Sequence, residues 1–158
     1  FFLKGDYDAA YMEYLKAWEM KPEITSHDEK NGAVNLAQLM TVKGQAEKAK
    51  EIFLKAVAFD PYFYASYLFL GDIYLKEKNS EKALFYLEKG LSLQAHFIKD
   101  DPNAALLYYN MAEAQEMKGE KEAAKKNYTA FINMAGKDKR LEGVVIKAKA
   151  KSADIKVK

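Results

Sequence analysis

The sequence predicts an all-α protein built as a solenoid of paired helices. Three observations lead there. Apolar residues recur with helical period through most of the chain, one helix-ending pattern returns at intervals of 34 to 41 residues, and all three prolines fall at predicted helix boundaries.

The first helix is predicted over about Tyr7 to Met20, where Ala10, Tyr14 and Ala17 keep the i, i+4, i+7 spacing of one helical face. Gly5 precedes it and Pro22 closes it. Phe1 lies 13 residues before Tyr14, the offset that also separates Met40 from Phe53 and Tyr74 from Leu87. The chain is therefore expected to open in the last turn of a missing helix. Tyr7, Tyr11 and Trp18 are then expected to be exposed, and self-association through this N-terminal helix follows as a possibility.

Ser26-His27-Asp28-Glu29 reads as a capping box and starts the second helix early, with Ala33, Leu36, Ala37 and Met40 on its apolar face. Gly44 suits the positive φ of a helix stop. The third helix carries Ala49, Phe53 and Ala56, and ends before Pro61.

The next pair repeats the scheme with Tyr67, Leu70, Gly71 and Tyr74, then Ala83, Leu87 and Gly90, although Lys78 stands where the glycine is expected. Leu91, Gln94 and Ile98 extend that helix, and Asp101-Pro102 supplies an N-cap and first turn for its successor. The last pair carries Tyr108, Met111, Ala112 and Gln115, the stop at Gly119, then Ala124, Tyr128 and Phe131. Small residues at Ala37, Gly71 and Ala112 let neighbouring helices approach closely. Successive alanines (Ala10, Ala49, Ala83, Ala124) are 39, 34 and 41 residues apart, and helix extensions absorb the excess over 34.

Residues 137–158 carry eight basic and three acidic side chains, whereas the rest of the chain is net acidic. Leu141, Val144, Val145, Ala148 and Ile155 share one face there, which suits a terminal capping helix to about Ser152.

The run Tyr67, Leu70, Gly71, Tyr74, Ala83 resembles the tetratricopeptide repeat family, whose 34-residue unit reads W-x2-L-G-x2-Y, then Ala, Phe and Pro. The resemblance covers about residues 1–136, with departures at Lys78, Ala95, Gln115 and Phe131. It implies a right-handed superhelical α-α solenoid: a half repeat at 1–22, repeats at 27–61, 62–99 and 102–136, and a basic capping helix and tail at 137–158. It further implies a concave wall made from the first helix of each pair, and a protein or peptide partner on that wall.

The implied groove residues are Asn31, Val34, Gln38 and Thr41 in one unit, Ala65, Leu68, Asp72 and Leu75 in the next, and Leu106, Tyr109, Glu113 and Glu116 in the last. Such a groove is apolar with an acidic edge, and fits a partner with apolar anchors and some Lys or Arg. Leu68, Leu106 and Tyr109 serve equally well as packing between repeats. Where some members of the family clamp a terminal carboxylate with cations and amides, this chain has Val34, Gln38, Phe69, Leu106 and Asn110. An acidic chaperone tail is not expected.

Composition narrows the chemistry. Zero cysteines exclude disulfides and thiolate sites, and two histidines leave little for zinc or general-base catalysis. His27 with Asp28 and Glu29, and His96 with Asp100 and Asp101, are sequence-local clusters whose side chains diverge on a helix. No phosphate-binding loop, dinucleotide fingerprint or nucleophile elbow occurs, so no enzyme and no cofactor is expected. A formal charge of +2 gives no general pull towards nucleic acid, no apolar run is long enough to span a membrane, and most aromatics fall at packing positions. Lys147, Lys149 and Lys151 read as a solubilising face, and Asn127-Tyr128-Thr129 as a coincidental sequon inside a helix. The composition is compatible with a bacterial cytoplasm or an envelope compartment. The expected function is a non-enzymatic interaction scaffold; the alternative is a structural spacer or self-assembly module packing through its terminal helices.

Overall fold

The computed structural model describes residues 7–97 and 102–156. These form α1 (Tyr7–Met20), α2 (His27–Val42), α3 (Ala46–Phe59), α4 (Tyr64–Lys76), α5 (Ser80–Phe97), α6 (Pro102–Lys118), α7 (Lys121–Ala135), a 3₁₀ turn (Lys139–Leu141) and α8 (Glu142–Asp154), with no strand among the described residues. Helices pair in chain order as α2/α3, α4/α5 and α6/α7. Besides its own partner, α4 touches both α2 and α6, so the first helices of the pairs share one wall. This is the helical solenoid the sequence predicts.

The hairpins share one stop. Gly44 and Gly119 have φ of +77° and +78°, and Lys78 takes the same left-handed conformation at +58°. In each case the next residue's N–H reaches back five residues, to Met40, Tyr74 and Gln115, and the stop residue's own N–H reaches back three. Both bonds of the Schellman motif are present, so a lysine holds a backbone shape that favours glycine.

Packing follows the repeated positions. Ala49, Ala83 and Ala124 are fully buried, as are Phe53, Leu87 and Tyr128 four residues later. The small residues set interhelical distance: a Cβ on Gly71 would meet the Leu87 side chain at 2.5 Å, and one on Gly90 would meet Leu107 at 2.9 Å and Tyr67 at 3.1 Å. Three apolar clusters line up along the array.

Extra length enters as helix. Ser26 is the N-cap of α2, its hydroxyl accepting the Glu29 N–H at 3.2 Å. The Glu29 carboxylate reaches Thr25 instead of Ser26, accepting its N–H at 2.7 Å and its hydroxyl at 2.8 Å. The α5 helix continues to Phe97; Ile98 and Asp101, like Phe1 and Gly5 with the helix remnant expected there, lie outside the described residues. α8 runs two residues past Ser152 and docks on α7, and Val145 and Ala148 on it, with Leu141 before it and Ile155 after it, are buried in the last core cluster, as a cap must.

α1 corrects one expectation in part: Tyr7 is exposed as expected, whereas Tyr11 and Trp18 are not. No residue on it is fully buried, but Tyr11 and Trp18 are half-covered and pack on the first core cluster. The Tyr11 hydroxyl donates to Gln45 at 3.3 Å, and the Lys43 and Lys55 ammonium groups lie over the Tyr11 and Trp18 rings. Long cationic side chains from α3 and the turn before it cover aromatic faces that the apolar core does not reach.

Candidate groove on the inner helical wall

The predicted groove residues divide. Val34 and Leu68 are 3% and 5% exposed and belong to the core: the packing reading holds for Leu68, the groove assignment of Val34 is overturned, and both leave the accessible wall. Asn31 is exposed, while Gln38, Thr41 and Ala65 are half-buried, with the Thr41 hydroxyl turned back onto the Ala37 carbonyl at 2.9 Å. Asp72, Leu75, Leu106, Tyr109, Glu113 and Glu116 are all half-buried. Leu106 packs on two neighbouring core clusters, and Tyr109 lies edge-on to the Tyr128 and Phe131 rings.

Asp72, Leu75, Glu113 and Glu116 come together around a cavity of about 510 Å³ between α4, α6 and α8. Lys76, Met117 and Lys151 complete its lining. Leu75 and the exposed Met117 give the cavity apolar surface, and the charged groups surround it.

That edge is paired, which the sequence did not reveal. Lys76 lies 2.7 Å from Asp72 one turn away, and Lys151 reaches across from α8 to Glu116 at 2.8 Å and Glu113 at 3.3 Å. Burial disfavours ionisation of Glu116, yet the Lys151 ammonium and the Tyr128 hydroxyl, which donates to the same carboxylate, hold it below the usual range. Burial and the hydrogen bond to Glu116 push the Tyr128 phenol far up; burial and Glu113, to which its hydroxyl donates at 3.0 Å, do the same for Tyr109. Burial pulls the Lys151 ammonium down, but the two glutamates outweigh it and raise it. The directions agree: Glu116 is held ionised, Lys151 charged, and the Tyr109 and Tyr128 phenols neutral.

Lys147 and Lys149 stay exposed, as expected of a solubilising face, but Lys151 does not. The signal that could have found it is weak: its position on α8 is fixed only by how the cap docks. The pair of Asp72 and Lys76 lies within one helix at i, i+4 spacing, a separation at which opposite charges meet.

Two further features lie off this wall. Lys30, 5% exposed, pairs with Asp60 at 2.8 Å and sits 4.0 Å from the Phe63 ring centroid, joining α2 to the turn before α4. A second cavity of about 410 Å³ opens between α1 and α2 over Tyr14, Ala17, Trp18 and Gly32. His27 faces Asp60 and the edge of Phe59, and no group of three or more His, Asp or Glu among the described residues is placed to hold a metal ion.

Residues 64–97, the α4/α5 pair, match the family model described as Tetratricopeptide repeat. The human protein O-mannosyl-transferase TMTC3 is 32% identical over 111 residues, 69% of this chain; the chain spans only 11% of that protein's length. The type III secretion chaperone SycD of Yersinia enterocolitica, solved with a peptide of the translocator YopD, superposes with a TM-score of 0.72 at 18% identity, covering 82% of this chain and 94% of SycD. MamA gives a TM-score of 0.68 at 21% identity over 96% of this chain and 89% of its own. The first tetratricopeptide domain of Spaghetti (RPAP3), bound to the HSP90 peptide SRMEEVD, gives 0.65 at 15% identity over 82% and 98%. Repeat signature, helix stops and stacking together make this chain a tetratricopeptide-repeat solenoid.

Proposed function

We propose that this chain is a non-enzymatic interaction scaffold that takes a peptide or partner helix on the wall formed by α2, α4 and α6. The observation that carries the reading is the cavity of about 510 Å³, where Leu75 and Met117 offer apolar contact between carboxylates on two successive repeats. Apolar contact there supplies affinity, and the carboxylates set register and favour basic residues on the partner. SycD bound to a YopD peptide and RPAP3 bound to an HSP90 peptide support peptide capture by such an array. The acidic end of SRMEEVD is a poor match for Asp72, Glu113 and Glu116.

An array of immobilised peptides varying in apolar spacing and charge tests the reading. Apolar-basic peptides should bind, and Asp72→Lys with Glu113→Lys should abolish that selectivity while leaving helicity unchanged. Equal retention of acidic and basic peptides by both proteins would refute it.

A second reading, self-association through α1, is favoured by the cavity between α1 and α2 and by the exposed Met12 and Met20. Light scattering across a hundredfold concentration range tests it: a concentration-dependent dimer weakened by Met12→Lys supports it, and a monomer throughout removes it.

A further inference from the structure

The wall that would recognise a basic partner already holds a basic group of its own. Lys151 projects from α8 with its ammonium between Glu116 and Glu113, 5.7 Å from the Tyr128 ring centroid. Two carboxylates beside an aromatic face form the environment in which a partner's Lys or Arg would settle. The fit does not arise because α8 needs an anchor, since buried Leu141, Val145, Ala148 and Ile155 already hold that end of the chain in the last core cluster, with α8 docked on α7.

The contact is also poised to exchange. The Lys151 side chain is 39% exposed and the two glutamates 32% and 31%, so the pair faces the cavity mouth and is open to competition from solvent or solute. With Lys151 in place, three carboxylates and two ammonium groups leave the cavity one net negative charge; with Lys151 turned away it carries two. The second negative charge adds repulsion between neighbouring carboxylates, so a cation is favoured there whether it comes from α8 or from outside.

We propose that Lys151 is an intramolecular competitor, occupying the cation-binding end of the groove until a partner's basic side chain displaces it. This rests on the groove reading above. The partner class it selects is a peptide with an apolar residue for Leu75 and Met117 next to one Lys or Arg for Glu113 and Glu116. The displaced α8 lysine reports occupancy towards the C-terminal end.

The probe is the acetylated, amidated pentapeptide Leu-Ala-Arg-Ala-Leu, with Leu-Ala-Gln-Ala-Leu as control, titrated by NMR into the wild type and Lys151→Met. Removing the competitor should tighten the arginine peptide about fivefold, the scale of one partly exposed ion pair, and leave the glutamine peptide unchanged. In the wild type the arginine peptide should move the Lys151 ammonium resonance towards those of Lys147 and Lys149. If the Leu75 and Met117 methyl signals shift but Lys151→Met gains nothing, or the Lys151 ammonium stays put, the competition is wrong and the groove stands. If neither peptide moves those methyl signals in either protein, the groove reading falls and the competition with it. Should Lys151→Met lose helicity, the ammonium readout in the wild type decides alone.

Discussion

Gly71→Ala tests whether close helix approach, more than helix propensity, fixes the shape of the inner wall. The added Cβ would lie 2.5 Å from both Cγ and Cδ2 of Leu87 and 3.2 Å from Cδ1. Rotation about χ2 leaves Cγ where it is, and a change of χ1 would drive this fully buried side chain into its packed neighbours, so α4 and α5 must separate. Overpacking of this kind costs about 3 kcal/mol, the upper end of its usual range, while alanine regains about 1 kcal/mol over glycine inside a helix. The net loss is about 2 kcal/mol, a fall in Tm of about 4–8 °C by circular dichroism for a chain of this size. The partner residue supplies the control: with Leu87→Ala in place the contact is gone, and Gly71→Ala should stabilise by about 1 kcal/mol. A Gly71→Ala protein as stable as the wild type, or the same effect in both backgrounds, would refute the reasoning. Gly143→Ala, where no atom lies within 4 Å of the new Cβ, should be neutral or slightly stabilising.

The stop at Lys78 is strained by its Cβ, so Lys78→Gly should raise stability by about 1 kcal/mol in thermal melts, whereas Gly44→Ala and Gly119→Ala should lower it by a similar amount. The buried pair of Lys30 and Asp60 is asymmetric: Asp60→Ala strands an ammonium that is 5% exposed and should cost about 2 kcal/mol by urea unfolding, less than a fully buried pair because the Asp60 side chain is 19% exposed. Lys30→Met should cost less than Asp60→Ala, since the carboxylate left behind can hydrate. The Glu29 carboxyl is held down to about 2 by Lys21 and Thr25. A depressed carboxyl contributes stability fully above its ordinary value near 4.5 and loses it as pH falls towards about 2, which a carboxyl-carbon NMR titration of the wild type and Thr25→Val should show as a midpoint moving up in the variant.

How much was legible depends on the range of the interaction. Helix starts and stops were readable because Ser26, Gly44 and Gly119 act on their own hydrogen-bond neighbours, and the buried alanines and aromatics were readable because the i, i+4 period is local. The half-cover of Tyr11 and Trp18 was not, since Lys43 and Lys55 come from other elements. Nor was the burial of Val34 and Leu68: helical phase placed them on the inner side, but how deeply adjacent helices nest decides whether that side is wall or core.

The groove shows the same division. By itself the sequence determined the repeat, the helix order, the apolar-acidic character of the inner helices and the basic character of the tail, because all of these follow from local periodicity and composition. Only tertiary structure decided that the acidic edge is already paired. Lys151 and Glu116 are 35 residues apart and meet because α8 docks on α7 beside the inner wall. Coulombic pairing depends on separation in space, and separation along a chain does not encode it until the helices have stacked.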